Sequence, residues 1–158
     1  MKLEMDIKLE KKSLNRFLLY HNYVRFSGVA GVVISLAAAV VLAVKWDFWT
    51  QPQRVMLLVL ALLFTVLQPL ILISKGRKQL SMEEFKIPFH YSFDETGISI
   101  SQKDQKQEFT WEDVRKIVFR KDSMYVYMST VSAFIIPKDQ CGNQFEELVS
   151  LAKSKTKK

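Results

Sequence analysis

Few residues of this chain have the types and spacing that catalysis or cofactor binding requires. Adjacent carboxylates occur at residues 112–113 and 146–147, but neighbouring positions on a helix point apart, so we expect them to cap helices or face solvent. No glycine-rich phosphate-binding motif is present, so no cofactor is expected. The sequence predicts a protein that is not an enzyme and has no catalytic or cofactor-binding residues.

Histidine and cysteine offer equally little for metal chemistry. His21 and His90 are separated by two long apolar runs, and Cys141 is the single cysteine. A protein metal site needs several such ligands together, and a disulfide needs a second cysteine. We therefore predict no metal site and no intramolecular disulfide, and we expect His21 to make only a local polar contact.

Basic residues are the one polar class whose positions suggest a function. The net charge is +7, and segments 1–25 and 75–86 together carry ten basic and five acidic residues. Both segments border an apolar run, where basic groups contact anionic lipid headgroups more readily than nucleic acid. We predict no nucleic-acid partner, and headgroup contact by five residues: Arg16, Arg25, Lys75, Arg77 and Lys78.

Two apolar runs dominate the first half of the chain. Residues 26–44 and 55–73 are 19 residues each and carry no charge. As helices they would each extend about 28 Å, close to the hydrocarbon thickness of a bilayer. A cleaved signal is not expected, because its apolar core is shorter and lies nearer the start of the chain. The two runs predict a transmembrane helical hairpin whose outer loop is residues 45–54.

The distribution of basic residues predicts the orientation of this hairpin. Most Lys and Arg residues near the runs precede the first or follow the second, whereas the loop holds only Lys45 and Arg54. Cytoplasmic segments carry such an excess, so both termini are predicted to be cytoplasmic. The predicted localisation is the cell (inner) membrane, as a multi-pass protein.

Small residues recur every fourth position along the first run and predict how it packs. Such stripes let helices approach closely in lipid. The stripe could close the hairpin by packing against the second run, or it could form a contact between copies of the chain in a homo-oligomer. It consists of Ser27, Gly31, Ser35, Ala39 and Ala43. In the second run, Gln68 and Pro69 predict a kink near the inner face, with Gln68 hydrogen-bonded locally.

The segments around the hairpin have their own patterns. In residues 1–10, Leu3, Met5, Ile7 and Leu9 alternate with charged residues, which predicts a strand with one apolar face. An isolated strand cannot satisfy its backbone, so we predict that it joins the sheet of the C-terminal domain. Residues 11–25 are predicted as a juxtamembrane helix and residues 74–86 as a linker.

Residues 87–158 are predicted as a water-facing domain of short strands followed by a helix. Six strands are expected, with Gly97 in a turn that needs a positive φ, and an amphipathic helix spans 143–153. Together they predict one small curved antiparallel sheet plugged by the helix, with Trp111 in the core. The basic C-terminal residues are interpreted as lipid contacts or as a solvated tail: Lys153, Lys155, Lys157 and Lys158.

Several segments of this chain resemble a known family. They are residues 91–98 (YSFDETGI), 111–114 (WEDV), 124–127 (MYVY) and 135–138 (IIPK). With the hairpin before them, they resemble the YcxB-like family of small bacterial membrane proteins. The resemblance implies an α+β membrane protein whose cytoplasmic domain is similar to a pleckstrin-homology (PH) domain. It implies no catalytic residue.

These observations predict a non-catalytic function at the membrane. The preferred hypothesis is a membrane-tethered, PH-like interaction or regulatory module that contributes to envelope homeostasis. Its partners would be the lipid bilayer, including anionic lipids, and a protein of unknown identity. The alternative is a small self-protection protein of the immunity type, acting at the membrane against a peptide or lipopeptide.

Overall fold

The computed structural model describes residues 2–156. Helices and antiparallel sheets make it an α+β protein, divided into two compact units. One unit is the hairpin, Asn15–Lys78. The other, which we call the C-terminal domain, combines the chain up to Leu14 with the chain from Gln79 onward. The domain therefore uses residues from both sides of the hairpin.

The hairpin region contains four α-helices, introduced here as α1–α4. They are α1 (Lys11–Val24), α2 (Phe26–Val44), α3 (Gln51–Leu62) and α4 (Gln68–Leu80). A π-helical segment, Leu63–Leu67, joins α3 to α4, so the second long helix runs 30 residues from Gln51 to Leu80. A 3-10 turn, Trp46–Phe48, lies in the connecting loop.

The boundaries predicted for the second run were too narrow. The helix begins at Gln51 instead of 55, because Thr50 and Gln53 form a reciprocal capping box and Pro52 occupies the first turn. It also continues through much of the predicted linker 74–86, which is helical to Leu80 and then forms a 3-10 turn, Glu83–Phe85. Polarity alone does not end a helix, and Lys and Gln are good helix formers.

A sharp corner separates α1 from α2. Arg25 is extended there, with φ −75° and ψ 147°. The chain turns so tightly that a Cβ on Gly28 would overlap the carbonyl oxygen of Asn22. Glycine at this position therefore permits the close approach of the two helices.

The face of α2 that packs within the hairpin differs from the predicted stripe. The buried residues are Gly28, Gly31, Ser35, Ala38 and Leu42, spaced alternately by three and four positions. Only Gly31 and Ser35 belong to the stripe, whereas Ser27, Ala39 and Ala43 are exposed. With 3.6 residues per turn, positions repeating every four residues drift around the helix, so five of them cannot share one face.

The C-terminal domain has seven strands in two sheets, not the single sheet that was predicted. The first sheet has the order β1-β2-β3-β4. Its strands are β1 (Leu3–Ile7), β2 (Phe89–Phe93), β3 (Gly97–Gln102) and β4 (Gln105–Thr110). The second, of order β5-β6-β7, contains β5 (Lys116–Phe119), β6 (Ser123–Tyr127) and β7 (Ala133–Pro137). Two helices follow, α5 (Lys138–Cys141) and α6 (Gln144–Thr156).

The N-terminal strand joins the first sheet, as predicted. β1 pairs antiparallel with β2, with Leu3 opposite Phe93 and Ile7 opposite Phe89. Its three inward side chains are buried in the same core as residues of both sheets and of α6, among them Phe145 and Leu148. Leu9 lies beyond the strand, which ends at Ile7.

Gly97 is required for a different reason from the one predicted. It does not have a positive φ; among the described glycines only Gly142 does. A Cβ on Gly97 would instead overlap the carbonyl oxygen of Phe109 on the neighbouring strand. The residue is small because two strands approach closely there.

Candidate membrane-facing site

The hairpin presents an unusually apolar surface. Large aliphatic and aromatic side chains are exposed along both long helices, with Phe26 at 89%, Val40 at 60% and Leu70 at 59%. Phe26–Val44 and Gln51–Leu80 are each long and apolar enough to cross a membrane. Within Gln51–Leu80 only the small residues Ala61 and Gly76 are buried, unlike a core helix of a soluble protein. Exposed apolar area costs about 25 cal/mol per Å² in water but nothing comparable in lipid.

Inside the hairpin, Ser35 pairs with the backbone of the facing helix. The Ser35 hydroxyl donates to the carbonyl oxygen of Leu60 at 2.8 Å, and the backbone N–H of Phe64 donates to Ser35 Oγ at 3.3 Å. The Phe64 ring lies where a Cβ on Gly31 would be. Pairing of this kind is what an apolar solvent demands, because lipid offers no hydrogen bonds.

A further polar contact joins α1 to α4. Gln68 Nε2 donates to Asn22 Oδ1 at 3.0 Å, so the predicted local hydrogen bond of Gln68 was wrong and the partner lies on another helix. Asn22 precedes α2, which begins at Phe26. The contact therefore marks the end of the hairpin at which the chain enters and leaves.

The five predicted headgroup residues are all exposed and belong to this end of the hairpin. Arg16 and Arg25 lie six and three residues from Asn22, and the others follow Gln68 by seven to ten residues. At 1.5 Å per residue, each is within about 15 Å of the Asn22–Gln68 contact along its helix. His21 Nε2 lies 3.5 Å from Arg25 Nη1, the local polar contact that was expected. The basic end, as we call this set, comprises Arg16, Arg25, Lys75, Arg77 and Lys78.

The opposite end of the hairpin is aromatic. Phe48 and Trp49 meet edge to face, with ring centroids 5.1 Å apart. Arg54 lies 4.8 Å from the centroid of the Trp46 ring, and its Nε donates to the Trp46 carbonyl oxygen at 3.0 Å. In the sequence, Arg54 was interpreted only as one of the two basic residues of the loop. Its contacts with Trp46 could not be predicted, because they depend on the helix beginning at Gln51.

Potentially reactive groups of the C-terminal domain have structural roles. Cys141 is buried, and burial raises the pKa of its thiol to about 11, which suppresses the reactive thiolate. The Asp113 carboxylate accepts hydrogen bonds from the Thr110 backbone and hydroxyl, which lower its pKa. Trp111 packs against the core, as predicted, and its indole N–H donates to the Asp94 carbonyl oxygen at 2.9 Å.

The basic C-terminal residues that the structure describes also make local contacts. Lys153 lies 5.4 Å from the centroid of the Phe119 ring, and Lys155 is 2.6 Å from a Glu95 carboxylate oxygen. Lys157 and Lys158 lie outside the described residues. Within residues 2–156, no group of three or more His, Cys, Asp or Glu side chains could hold a metal ion.

Comparison with known proteins bears on the C-terminal domain. A comparison with curated proteins finds no significant match. The family described as YcxB-like protein matches residues 93–152, from the end of β2 into α6. This range contains three of the four segments on which the resemblance was based, and most of the fourth. Residues 93–152 are therefore a YcxB-like region, as the sequence predicted.

Proposed function

We propose that this protein is a membrane-tethered, non-catalytic module. Its hairpin crosses the cell membrane twice, both termini are cytoplasmic, and the basic end contacts anionic lipid headgroups. The C-terminal domain is a PH-like interaction or regulatory module that binds a protein partner in envelope homeostasis. The observation that carries the proposal is the hairpin's apolar surface, which lies between a basic end and an aromatic end.

The arrangement of the two ends supports the proposed orientation. Basic side chains are favoured on the cytoplasmic side, where anionic lipids attract them. Tryptophan rings are favoured at membrane interfaces, because one part of the ring system is apolar and another donates a hydrogen bond. The loop with Trp46 and Trp49 therefore suits the outer interface.

The architecture of the C-terminal domain supports a binding role. Four-stranded and three-stranded antiparallel sheets share a core with α6, an arrangement consistent with a PH-like fold. Its buried thiol and its capping carboxylate have structural roles that are compatible with a recognition function. Gly31 and Ser35 pack within the hairpin, so a contact between two copies of the chain would use Ala39 and Ala43, the neighbouring exposed residues of the stripe.

Headgroup contact can be tested by measuring bound lipid. The full chain is reconstituted in nanodiscs of phosphatidylglycerol and phosphatidylcholine, and retained lipid is identified by native mass spectrometry. A variant with all five basic-end residues changed to Gln should lose most of the retained phosphatidylglycerol, since each cation contributes about 1 kcal/mol near an anionic surface.

A matched variant controls for net charge. It changes five exposed lysines outside the hairpin unit to Gln: Lys8, Lys103, Lys106, Lys116 and Lys121. This variant should retain phosphatidylglycerol like the unmodified chain. Equal lipid retention by both variants would contradict a role for the basic end in headgroup binding.

A further inference from the structure

The second long helix is interrupted at Phe64 by a side chain of α2. In a regular α-helix the Phe64 N–H would donate to the carbonyl oxygen of Leu60. Here the Ser35 hydroxyl stands between them, donating to Leu60 O at 2.8 Å and accepting from Phe64 N at 3.3 Å. Insertion of a side chain into the hydrogen-bond ladder is a recognised cause of a local helix defect.

A second contact holds the same segment from α1. Within the π segment the Gln68 N–H donates to Leu63 O, a spacing of five residues. At the same spacing residue 69 would donate to Phe64 O, but Pro69 has no N–H. The Tyr23 hydroxyl donates to Phe64 O instead, at 2.8 Å. Both Phe64 backbone groups are thus satisfied by side chains from other helices.

The Asn22–Gln68 contact, by contrast, leaves two polar side-chain atoms without hydrogen-bond partners. Asn22 Nδ2 and Gln68 Oε1 are buried and have no hydrogen-bond partner among the described residues. Exchanging the oxygen and nitrogen positions of both amides would leave the same number of atoms unpaired. The contacts that Ser35 and Tyr23 make with Phe64 leave no buried side-chain atom of those two residues unpaired.

A π segment contains one residue more than the α-helical turn it replaces. If the ladder closed into a regular α-helix, α4 would rotate by about 100° and advance by about 1.5 Å relative to α3. Leu67 would then occupy the place of Gln68 opposite Asn22. Lys75, Arg77 and Lys78, which follow on α4, would turn to a different side of the hairpin.

We propose that the π segment is a two-state hinge, held in its π form by Ser35 and Tyr23, that sets the direction of the α4 basic residues. The inference rests on the proposed function in one respect, namely that those residues contact lipid headgroups. The hinge would then regulate that contact: the π form presents Lys75, Arg77 and Lys78 to one set of headgroups, and the α form withdraws them.

Cysteine crosslinking in lipid vesicles can distinguish the two registers. On a Cys141→Ala background, one chain carries Asn22→Cys with Gln68→Cys, and another carries Asn22→Cys with Leu67→Cys. A short bifunctional thiosulfonate is added to vesicles of phosphatidylglycerol and phosphatidylcholine. The 22–68 pair should crosslink at least tenfold faster than the 22–67 pair in the chain with Ser35 and Tyr23 intact.

Adding Ser35→Ala, Tyr23→Phe and Pro69→Ala should reverse this preference, because Phe64 N can then donate to Leu60 O and residue 69 to Thr65 O. The matched control is Ser27→Ala, which removes an exposed hydroxyl from the same helix. With Pro69 retained, Ser35→Ala/Tyr23→Phe should increase 22–67 crosslinking by a smaller factor, because a proline inside the helix opposes the α form. Unchanged preference for 22–68 in all of these variants would overturn the hinge.

The lipid measurement separates this inference from the proposed function. Ser35→Ala/Tyr23→Phe/Pro69→Ala, with all five basic residues present, should lose part of the retained phosphatidylglycerol while Ser27→Ala loses none. A register change without lipid loss would overturn the regulatory role alone. Lipid loss in the five-Gln variant with no register change would retain the proposed function and reject the hinge.

Discussion

The hairpin and the C-terminal domain use similar apolar residues in opposite ways. In the C-terminal domain, Phe93, Val126 and Leu148 are completely buried. In the hairpin, large apolar side chains such as Phe26 and Val40 are exposed, and the interior is built from residues such as Gly31 and Ser35. Water drives large apolar groups inward, whereas lipid leaves close packing and hydrogen bonding to hold helices together. The difference supports the proposal that the two units lie in two different solvents.

The largest loss of stability is expected in the C-terminal domain, whose core is held together by the burial of apolar side chains from water. Ile7 is 2% exposed in the core of the C-terminal domain, although it precedes the hairpin in sequence. Ile7→Asp would remove an apolar group and bury a carboxylate, so it should destabilise the domain by about 3–5 kcal/mol. Amide exchange of residues 124–128, measured on the full chain in detergent, would report the loss.

The matched control for this substitution is Glu4→Gln, at an exposed position of the same strand. It should change the exchange-derived free energy by less than about 0.5 kcal/mol. Similar exchange rates in the two variants would mean that β1 contributes little to the domain.

A smaller loss of stability is expected in the hairpin when a small buried residue is replaced by a large one. Gly31→Leu would force the Phe64 ring aside, costing about 1–3 kcal/mol by overpacking. Tryptophan fluorescence during denaturation in mixed micelles should report an earlier transition for Gly31→Leu. Val33→Leu, at an exposed position of α2, should leave the transition unchanged. If the two variants behave alike, α2 does not pack through its small residues.

The smallest effect concerns the pH dependence of the C-terminal domain. Burial raises the pKa of Cys141 to about 11 from an ordinary value of 9.0. The unfolded chain therefore loses this proton at lower pH than the folded one, so its stabilising contribution is complete below about pH 9 and is lost as pH rises towards 11. Cys141→Ala should flatten the decline in stability between pH 9 and 11. An identical decline in both chains would contradict the buried-thiol account.

Several elements could be predicted from the sequence because one local force dominates them. Strict alternation identified β1, and because a strand needs a partner, its pairing with the distant sheet was also predictable. An uncharged run gave the bounds of α2, Phe26–Val44, without error.

Other features depend on contacts between segments and could not be predicted. The division of the strands into two sheets depends on which pairs bond, and strand periodicity does not encode this. At the π segment, Ser35 contacts Phe64 from another helix, a pairing that helical periodicity does not encode. Gly97 was assigned to the wrong cause because a close approach and a positive φ both favour glycine. At the basic end, clustering predicted the residues, but not the Asn22–Gln68 contact that marks their position.

The central claim is that the hairpin crosses the membrane with its loop outside and the C-terminal domain in the cytoplasm. It can be tested on a Cys141→Ala background with single cysteines at two exposed positions, Gln51→Cys at the start of α3 and Val131→Cys in the C-terminal domain. Intact cells are treated with a membrane-impermeant maleimide. We predict labelling of Gln51→Cys at once and of Val131→Cys only after permeabilisation. Labelling of Val131→Cys in intact cells, with Gln51→Cys protected until permeabilisation, would contradict the account.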